Sequence, residues 1–358
     1  MKQFAVFAAL AVALGAIAWA APPLGDTSDR NQYEQFAAEI IVPNCDLLHC
    51  FRVLVPWTLG RLPGDSLFKW KAYAVICNAA AGAAVLLLCQ AWRLPRRVGQ
   101  IAAAATALGF GSMYTLYDTF TSDPLMFLAG PLLLWLFAIE RPMFAGVGSC
   151  VMILAKEFAL VPAYVHAVVQ WWHGHRREAL RAAAIALLAL AVWGGLQLWL
   201  RTAYGYHFGA TQSAQPLRGG YLWHWYEQTP GRVAIAAMLA EFGVLWLLAP
   251  AGWRFAPPIL KHVAIALVPP VAAFLYVQQP DRALWNFHFV VTPLAALVLA
   301  RVPVVLMVMT MSAFTITNLR VGAQLPFVPP SSASLAVSMV LGVACCAWSW
   351  RHPRAAVA

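Results

Sequence analysis

The sequence predicts an all-α fold, a polytopic membrane helical bundle of about twelve (10–13) spans with interfacial helices in its first outer loop. Three observations predict it. Mean hydropathy is +0.69. Of 358 residues, 62% are hydrophobic and only 11% are charged. Long apolar stretches recur along the whole chain without the alternation of strands. A helix needs about 20 apolar residues to cross the hydrocarbon core. Its backbone groups find no water there, so they must be satisfied within helices or closed barrels. No long polar stretch provides for a separate soluble domain, so residues 1–358 read as a single integral membrane domain.

Apolar runs place spans at about 4–21, 72–91, 98–116, 124–139, 143–155, 158–172, 179–200, 233–250, 263–277, 287–300, 302–317 and 333–349. The pair 143–155 and 158–172 is short and reads equally as one bent unit. The first run has signal-peptide features: Lys2, an apolar core and the small-residue stretch Ala18-Trp19-Ala20-Ala21. Its roughly 18 residues sit at the lower end for spanning, and a retained helix is expected.

An N-terminus in the cytoplasm makes the loops alternate consistently. The inner turns are then Arg93-Leu94-Pro95-Arg96-Arg97, Glu140-Arg141, His173-Gly174-His175-Arg176-Arg177, residues 254–262, Arg301 and the tail from Arg351. Short basic turns of this kind lie inside. The same assignment leaves only Glu140 and Glu178 inside, with Glu241 within a span. Nearly all the other acids fall outside, and four of the chain's 14 lie between Asp26 and Glu39. Acids contribute little to orientation, so this asymmetry points to a binding or reaction centre on the outer face.

The first outer loop, residues 22–70, is the longest. Apolar positions at 33, 36, 37, 40 and 41 predict an amphipathic helix on the membrane surface, and a second such piece covers 47–59. The other large outer loop, residues 201–230, is rich in Tyr, Trp and His. The net charge of +10 is scattered through loops and forms no basic stripe, which excludes a nucleic-acid partner and suits topology signals and membrane lipid headgroups. No Walker loop, dinucleotide fingerprint, nucleophile elbow or zinc spacing is present.

The candidate residues each have a plain structural alternative. Asp26 and Asp29 stand where the first helix leaves the membrane; they suit a general base or a metal-binding carboxylate, or a solvated turn with Asp26 or Ser28 as a cap. In Tyr117-Asp118-Thr119-Phe120-Thr121-Ser122-Asp123-Pro124, a cap at Ser122 or Asp123 with Pro124 in the first turn accounts for Asp123 but not Asp118. Lys156-Glu157, between two short apolar segments, is either a neutralised pair at a hairpin turn or a Lys held by Glu157 for an anionic phosphate. Arg52 and Arg282 suit phosphate binding or interfacial anchoring. His288 suits a base, although a lone His at a span end is more often structural. Cys45 and Cys50 can close a small disulfide loop in an oxidising compartment.

The order of these pieces resembles the GT-C superfamily of polytopic membrane glycosyltransferases. The likeness rests on Gly25-Asp26 with Asp29, Tyr33 and Phe36-Ala37; on Arg52-Val53-Leu54-Val55-Pro56; on Ser122-Asp123-Pro124-Leu125; and on Lys156-Glu157, with a late Arg282 before an apolar span. It covers roughly residues 1–172 and, more loosely, 278–300. The resemblance implies a polyprenyl-phosphate-linked sugar donor, a lipid, glycan or protein acceptor, and an extracytoplasmic site in a cell-envelope membrane, bacterial in its compact loops. Asp26, or else Asp29, would activate the acceptor, and Asp118 or Asp123 would be a second acid. Arg52, Lys156 and Arg282 would meet the phosphate. Some members use a divalent cation such as Mg or Mn and others do not. Two rivals stand beside this reading: a transporter or flippase of lipid-linked saccharides, for which Glu241 is the best-suited residue, and a non-catalytic membrane protein.

Overall fold

The computed structural model describes residues 2–25, 28–46, 48–207, 231, 239–277, 284–329 and 331–352. Asp26, Arg282 and most of the aromatic loop 201–230 therefore lie outside the described residues. Among those described, every regular element is helical. Five helical stretches are long and apolar enough to cross a membrane: Ser66–Ala91, Arg176–Tyr204, Pro258–Leu275, Val304–Val321 and Ser332–Arg351. Shorter apolar helices cover Phe4–Ala20, Asp123–Ala138, Pro142–Met152 and Leu284–Leu299.

The chain opens with α1 (Lys2–Ala20), α2 (Ser28–Glu39) and α3 (Leu54–Gly60). Then come α4 (Ser66–Ala91), α5 (Arg96–Ala107), α6 (Phe110–Tyr117) and α7 (Asp123–Ala138). The middle holds α8 (Pro142–Met152), α9 (Val161–Trp172) and α10 (Arg176–Tyr204). The last third holds α11 (Leu245–Gly252), α12 (Pro258–Ala266), α13 (Val268–Val277), α14 (His288–Leu299), α15 (Val304–Val321) and α16 (Ser331–Arg351).

Local chemistry sets the ends. Asp65 accepts the Phe68 N–H at 2.9 Å and starts α4. Proline stands in the first turn of α7, α8, α9 and α12, where its missing N–H costs nothing. Gly205, left-handed at φ 70°, ends α10. Lys71 donates to the last carbonyls of α1, Ala18 at 2.6 Å and Ala21 at 2.9 Å, supplying a cation where the helix dipole is negative.

α4 is the hub, packed on α1, α5 and α7. α14 lies between α5 and α11, α10 runs beside α8 and α9, and α15 pairs with α16. Polar side chains stitch this interior: Asn78 donates to Thr115 at 2.9 Å, and Thr106 meets Thr292 at 3.0 Å. A side chain on Gly111 would run into the indole of Trp285, so only glycine lets α6 approach that ring.

Two expectations change, and a third, the short pair at 143–172, keeps its two parts. The span at 98–116 breaks at Leu108, whose carbonyl accepts from Asn318 at 3.1 Å instead of from the next turn. The segment 143–172 divides into α8, the tight turn Glu157–Leu160 and α9. The helix expected to float on the membrane surface is α2, but Tyr33 and Phe36 are buried against the protein. Tyr33 meets Trp70 and His49 edge to face, and Phe36 packs with Cys45, Cys50, Leu200 and Tyr206. Protein, not lipid, receives that apolar face.

Candidate functional site

The site is built from the segment 22–70 and from the turns that precede α7 and α9. Cys45 and Cys50 are joined by a disulfide, which closes a loop around the turn Leu48–Phe51. Arg52 leaves that turn with its N–H on the His49 carbonyl at 3.0 Å. Two residues on, the Leu54 N–H bonds the Leu154 carbonyl at 3.2 Å, so the Arg52 segment is fixed beside the turn that carries Lys156 and Glu157. A side chain on Gly60 would strike the Ala37 carbonyl, so α2 and α3 touch backbone to backbone and hold this layer down.

Lys156 and Glu157 do not form the neutralised pair that their adjacency suggests. Lys156 reaches across to Asp123, Nζ to Oδ1 at 2.6 Å, with both side chains 5% exposed. Glu157 makes no ion pair among the described residues. Nor is the Ser122-Asp123 stretch explained by capping. Ser122 precedes α7 but makes no side-chain cap bond, and Asp123 spends its carboxylate on Lys156. Ser122 Oγ lies 3.4 Å from the Tyr33 hydroxyl, and its carbonyl accepts from the Tyr73 hydroxyl at 3.3 Å.

Arg52 occupies the centre. Tyr33, Glu157 and Asp123 are its electrostatic neighbours. Burial works against its charge, but these three oxygens outweigh it and hold its pKa above the usual value. Burial likewise raises the Tyr33 phenol, against the lowering effect of Arg52. Arg52 Nε is buried and has no hydrogen-bond partner. Arg52 and Glu157 stand together in the lining of an apolar groove of about 620 Å³. Its walls come from α9, α10 and α13, including Tyr164, Leu190, Trp193, Ala273 and Phe274.

The acidic stretches also meet. The Leu24 N–H bonds the Tyr117 carbonyl at 3.2 Å, and the Arg30 guanidinium lies 5.0 Å from the centre of the Phe120 ring. The described residues on both sides of position 26 thus reach the Asp118 strip. Asp118 is buried just beyond α6. Asp29 lies in the first turn of α2, its side chain outside the described residues. His288 is fully buried far along the chain, stacked on Trp285 and edge-on to Phe127 and Phe289, with Nδ1 2.9 Å from the Trp285 carbonyl. It lines none of the described grooves.

Among the described residues, no group of three or more His, Cys, Asp and Glu side chains is placed to hold a metal ion. Sequence reasoning did not single out Tyr33, Ser122 or Tyr73 as site residues. The signals were the i, i+3 spacing of Tyr33 and Phe36 and the presence of Tyr33 and Ser122 in the stretches that carry the resemblance; Tyr73 had none.

No protein-family model and no curated protein matches the chain. Solved structures do. The crystal structure of the Archaeoglobus fulgidus oligosaccharyltransferase in its apo form superposes with a TM-score of 0.53 at 14% identity, covering 96% of this chain and 56% of that one. The same enzyme tethered by a disulfide to an acceptor peptide with an NVT sequon gives a TM-score of 0.50 at 13% identity, covering 95% and 55%. The chain thus spans a little over half the length of these neighbours. At such identities the likeness concerns the fold: the chain has the membrane-helical architecture of that transferase.

Proposed function

We propose that the chain is an integral-membrane glycosyltransferase that takes its sugar from a polyprenyl-phosphate donor. The observation that carries the reading is Arg52, a guanidinium with a buried, unpartnered Nε in the lining of an apolar groove. An anionic head on a long apolar tail satisfies both features at once: the tail replaces lipid in the groove, and the phosphate supplies the acceptor that Nε lacks. The fold shared with the archaeal oligosaccharyltransferase adds support.

In this reading the acceptor hydroxyl gives its proton to the carboxylate of Asp26 or Asp29. The acceptor oxygen bonds the anomeric carbon as the bond from that carbon to the phosphate oxygen breaks. The electron pair leaves on the phosphate, whose growing charge Arg52 stabilises. Arg282 is a second phosphate ligand and Asp118 a second acid near the acceptor. Lys156 and Asp123 form the neutral brace behind Glu157 rather than a free cation and a free base. No step is assigned to Mg or Mn, since the described acids gather no donor set. The acceptor is a lipid, a glycan or a protein; the archaeal neighbour was captured with an acceptor peptide. We place the site on the extracytoplasmic face of a bacterial inner membrane, a setting that suits the Cys45–Cys50 disulfide and the basic turns opposite.

The test is transfer from a radiolabelled polyprenyl-phosphate sugar by the purified protein. Arg52→Ala is expected to lose about 10²-fold or more in turnover, the usual cost of one oxyanion donor. Undiminished transfer by Arg52→Ala, Asp26→Asn and Asp29→Asn would overturn the site, and failure to bind donor would overturn the reading. The transport alternative rests on Glu241, fully buried within the bundle. Movement of labelled donor across proteoliposomes without bond formation would favour it.

A further inference from the structure

A second groove of about 640 Å³ runs between α5 and α15, on different helices from the first. Arg97, Gln100, Ile101, Ala104 and Leu108 form one wall; Met307, Met311, Ser312 and Ile316 lie in the other. Val308 of its lining is exposed, and so are Val304, Val305 and Met309 on the same helix, which gives the groove an apolar surround. From Arg97 to Leu108 a rise of 1.5 Å per residue gives about 16 Å, roughly half of the ~30 Å hydrocarbon core. The groove therefore has about the length of one leaflet.

Its two ends differ in charge. Arg97 stands at one end, next to Arg96 and near Arg93 in a turn without an acid. The Arg97 guanidinium reaches only the Met307 sulfur, at 3.9 Å, and has no acid partner among the described residues. The far end holds Leu108 and Ile316 with Thr315, whose hydroxyl is taken up by the Met311 carbonyl at 2.8 Å, and it carries no charge. Met307 and Met311 give the wall an adaptable, polarizable lining suited to a flexible chain.

We infer that the groove between α5 and α15 is a binding site for one anionic phospholipid, its phosphate on Arg97 and one acyl chain along Ile101, Ala104 and Met311. The charge at one end and the leaflet-long apolar floor each match one part of that ligand. A zwitterionic lipid would bring a cationic group to a cluster of three arginines, and the surplus charge favours a net negative head.

Native mass spectrometry of the delipidated full chain, offered equal phosphatidylglycerol and phosphatidylcholine, tests this. Wild type is expected to retain one phosphatidylglycerol in preference. Arg97→Gln should lower that retention about fivefold, the ~1 kcal/mol that one basic residue is worth at an anionic surface. Arg97→Lys should keep most of it. Ser312→Trp and Gln100→Trp, each placing an indole in the groove from an exposed position on one of its two walls, should both remove either lipid. Equal retention of the two lipids by wild type, or no change in Arg97→Gln, would overturn the proposal. So would a lipid-free dimer cross-linked through α15.

Discussion

Lys156 Nζ and Asp123 Oδ1 meet at 2.6 Å in a place where each side chain is 5% exposed. The pair joins the start of α7 to the turn before α9 and sets the level at which Glu157 enters the groove. Removing Lys156 would take from the buried Asp123 carboxylate its contact at 2.6 Å. Lys156→Ala should therefore destabilise the protein by about 3–5 kcal/mol. The double variant Lys156→Met with Asp123→Leu should recover most of that loss. Thermal unfolding in detergent measures both, and additive losses would show that the two residues are not a pair.

Arg52 is constrained by the loop behind it. Reducing the Cys45–Cys50 bridge, or Cys45→Ser with Cys50→Ser, releases a loop whose ends are five residues apart. The chain-entropy account gives about 2 kcal/mol for so small a loop. Affinity for a polyprenyl phosphate should fall along with stability, because Arg52 is two residues from Cys50. Donor binding unaffected by the double serine variant would show that Arg52 is held from elsewhere.

Burial raises the Tyr33 phenol above its ordinary value, although Arg52 opposes the shift. The folded state thus binds the phenolic proton more tightly than the unfolded chain does. The corresponding stability is present below about pH 10 and declines as pH rises through that point. Alkaline titration of unfolding should show this slope in wild type, and Tyr33→Phe should flatten it. A slope unchanged in Tyr33→Phe would assign it to another group.

Groove width is set by small residues as well as by large ones. Ala273 lines the groove together with Leu190 and Trp193. Ala273→Trp should weaken binding of a long-chain polyprenyl phosphate about tenfold, or 1.4 kcal/mol. It should leave a short-chain analogue nearly unaffected, because only the tail occupies that depth. Competition binding with the two chain lengths decides it; equal losses would mean that the tail lies elsewhere.

Gly60 and Gly111 hold two close approaches, against the Ala37 carbonyl and the Trp285 indole. Each Gly→Ala variant is expected to lose about 1–3 kcal/mol, the range for overpacking a filled interior. Gly60→Ala should also weaken donor binding, since α3 follows directly on the Arg52 segment. Gly111→Ala should affect stability alone.

The all-helical membrane class was legible in the sequence, because burial in hydrocarbon is written residue by residue as apolar runs. The charges of the candidate site, Arg52, Asp123, Lys156 and Glu157, also stand out in an apolar sequence, although a helix cap accounted for Asp123 there. Their pairing was not legible. Lys156 and Glu157 are neighbours in sequence, yet adjacent side chains point apart, and the partner of Lys156 comes from the start of another helix. Tyr33 reads as one apolar position of a surface helix, and its place between Ser122 and Arg52 depends on how α2 docks. The groove is a property of no single segment, since the consecutive α9 and α10 make its walls with the distant α13 and with Arg52. Periodicity reports which residues leave water. Which charge meets which, and where a cavity opens, was decided only when the helices packed.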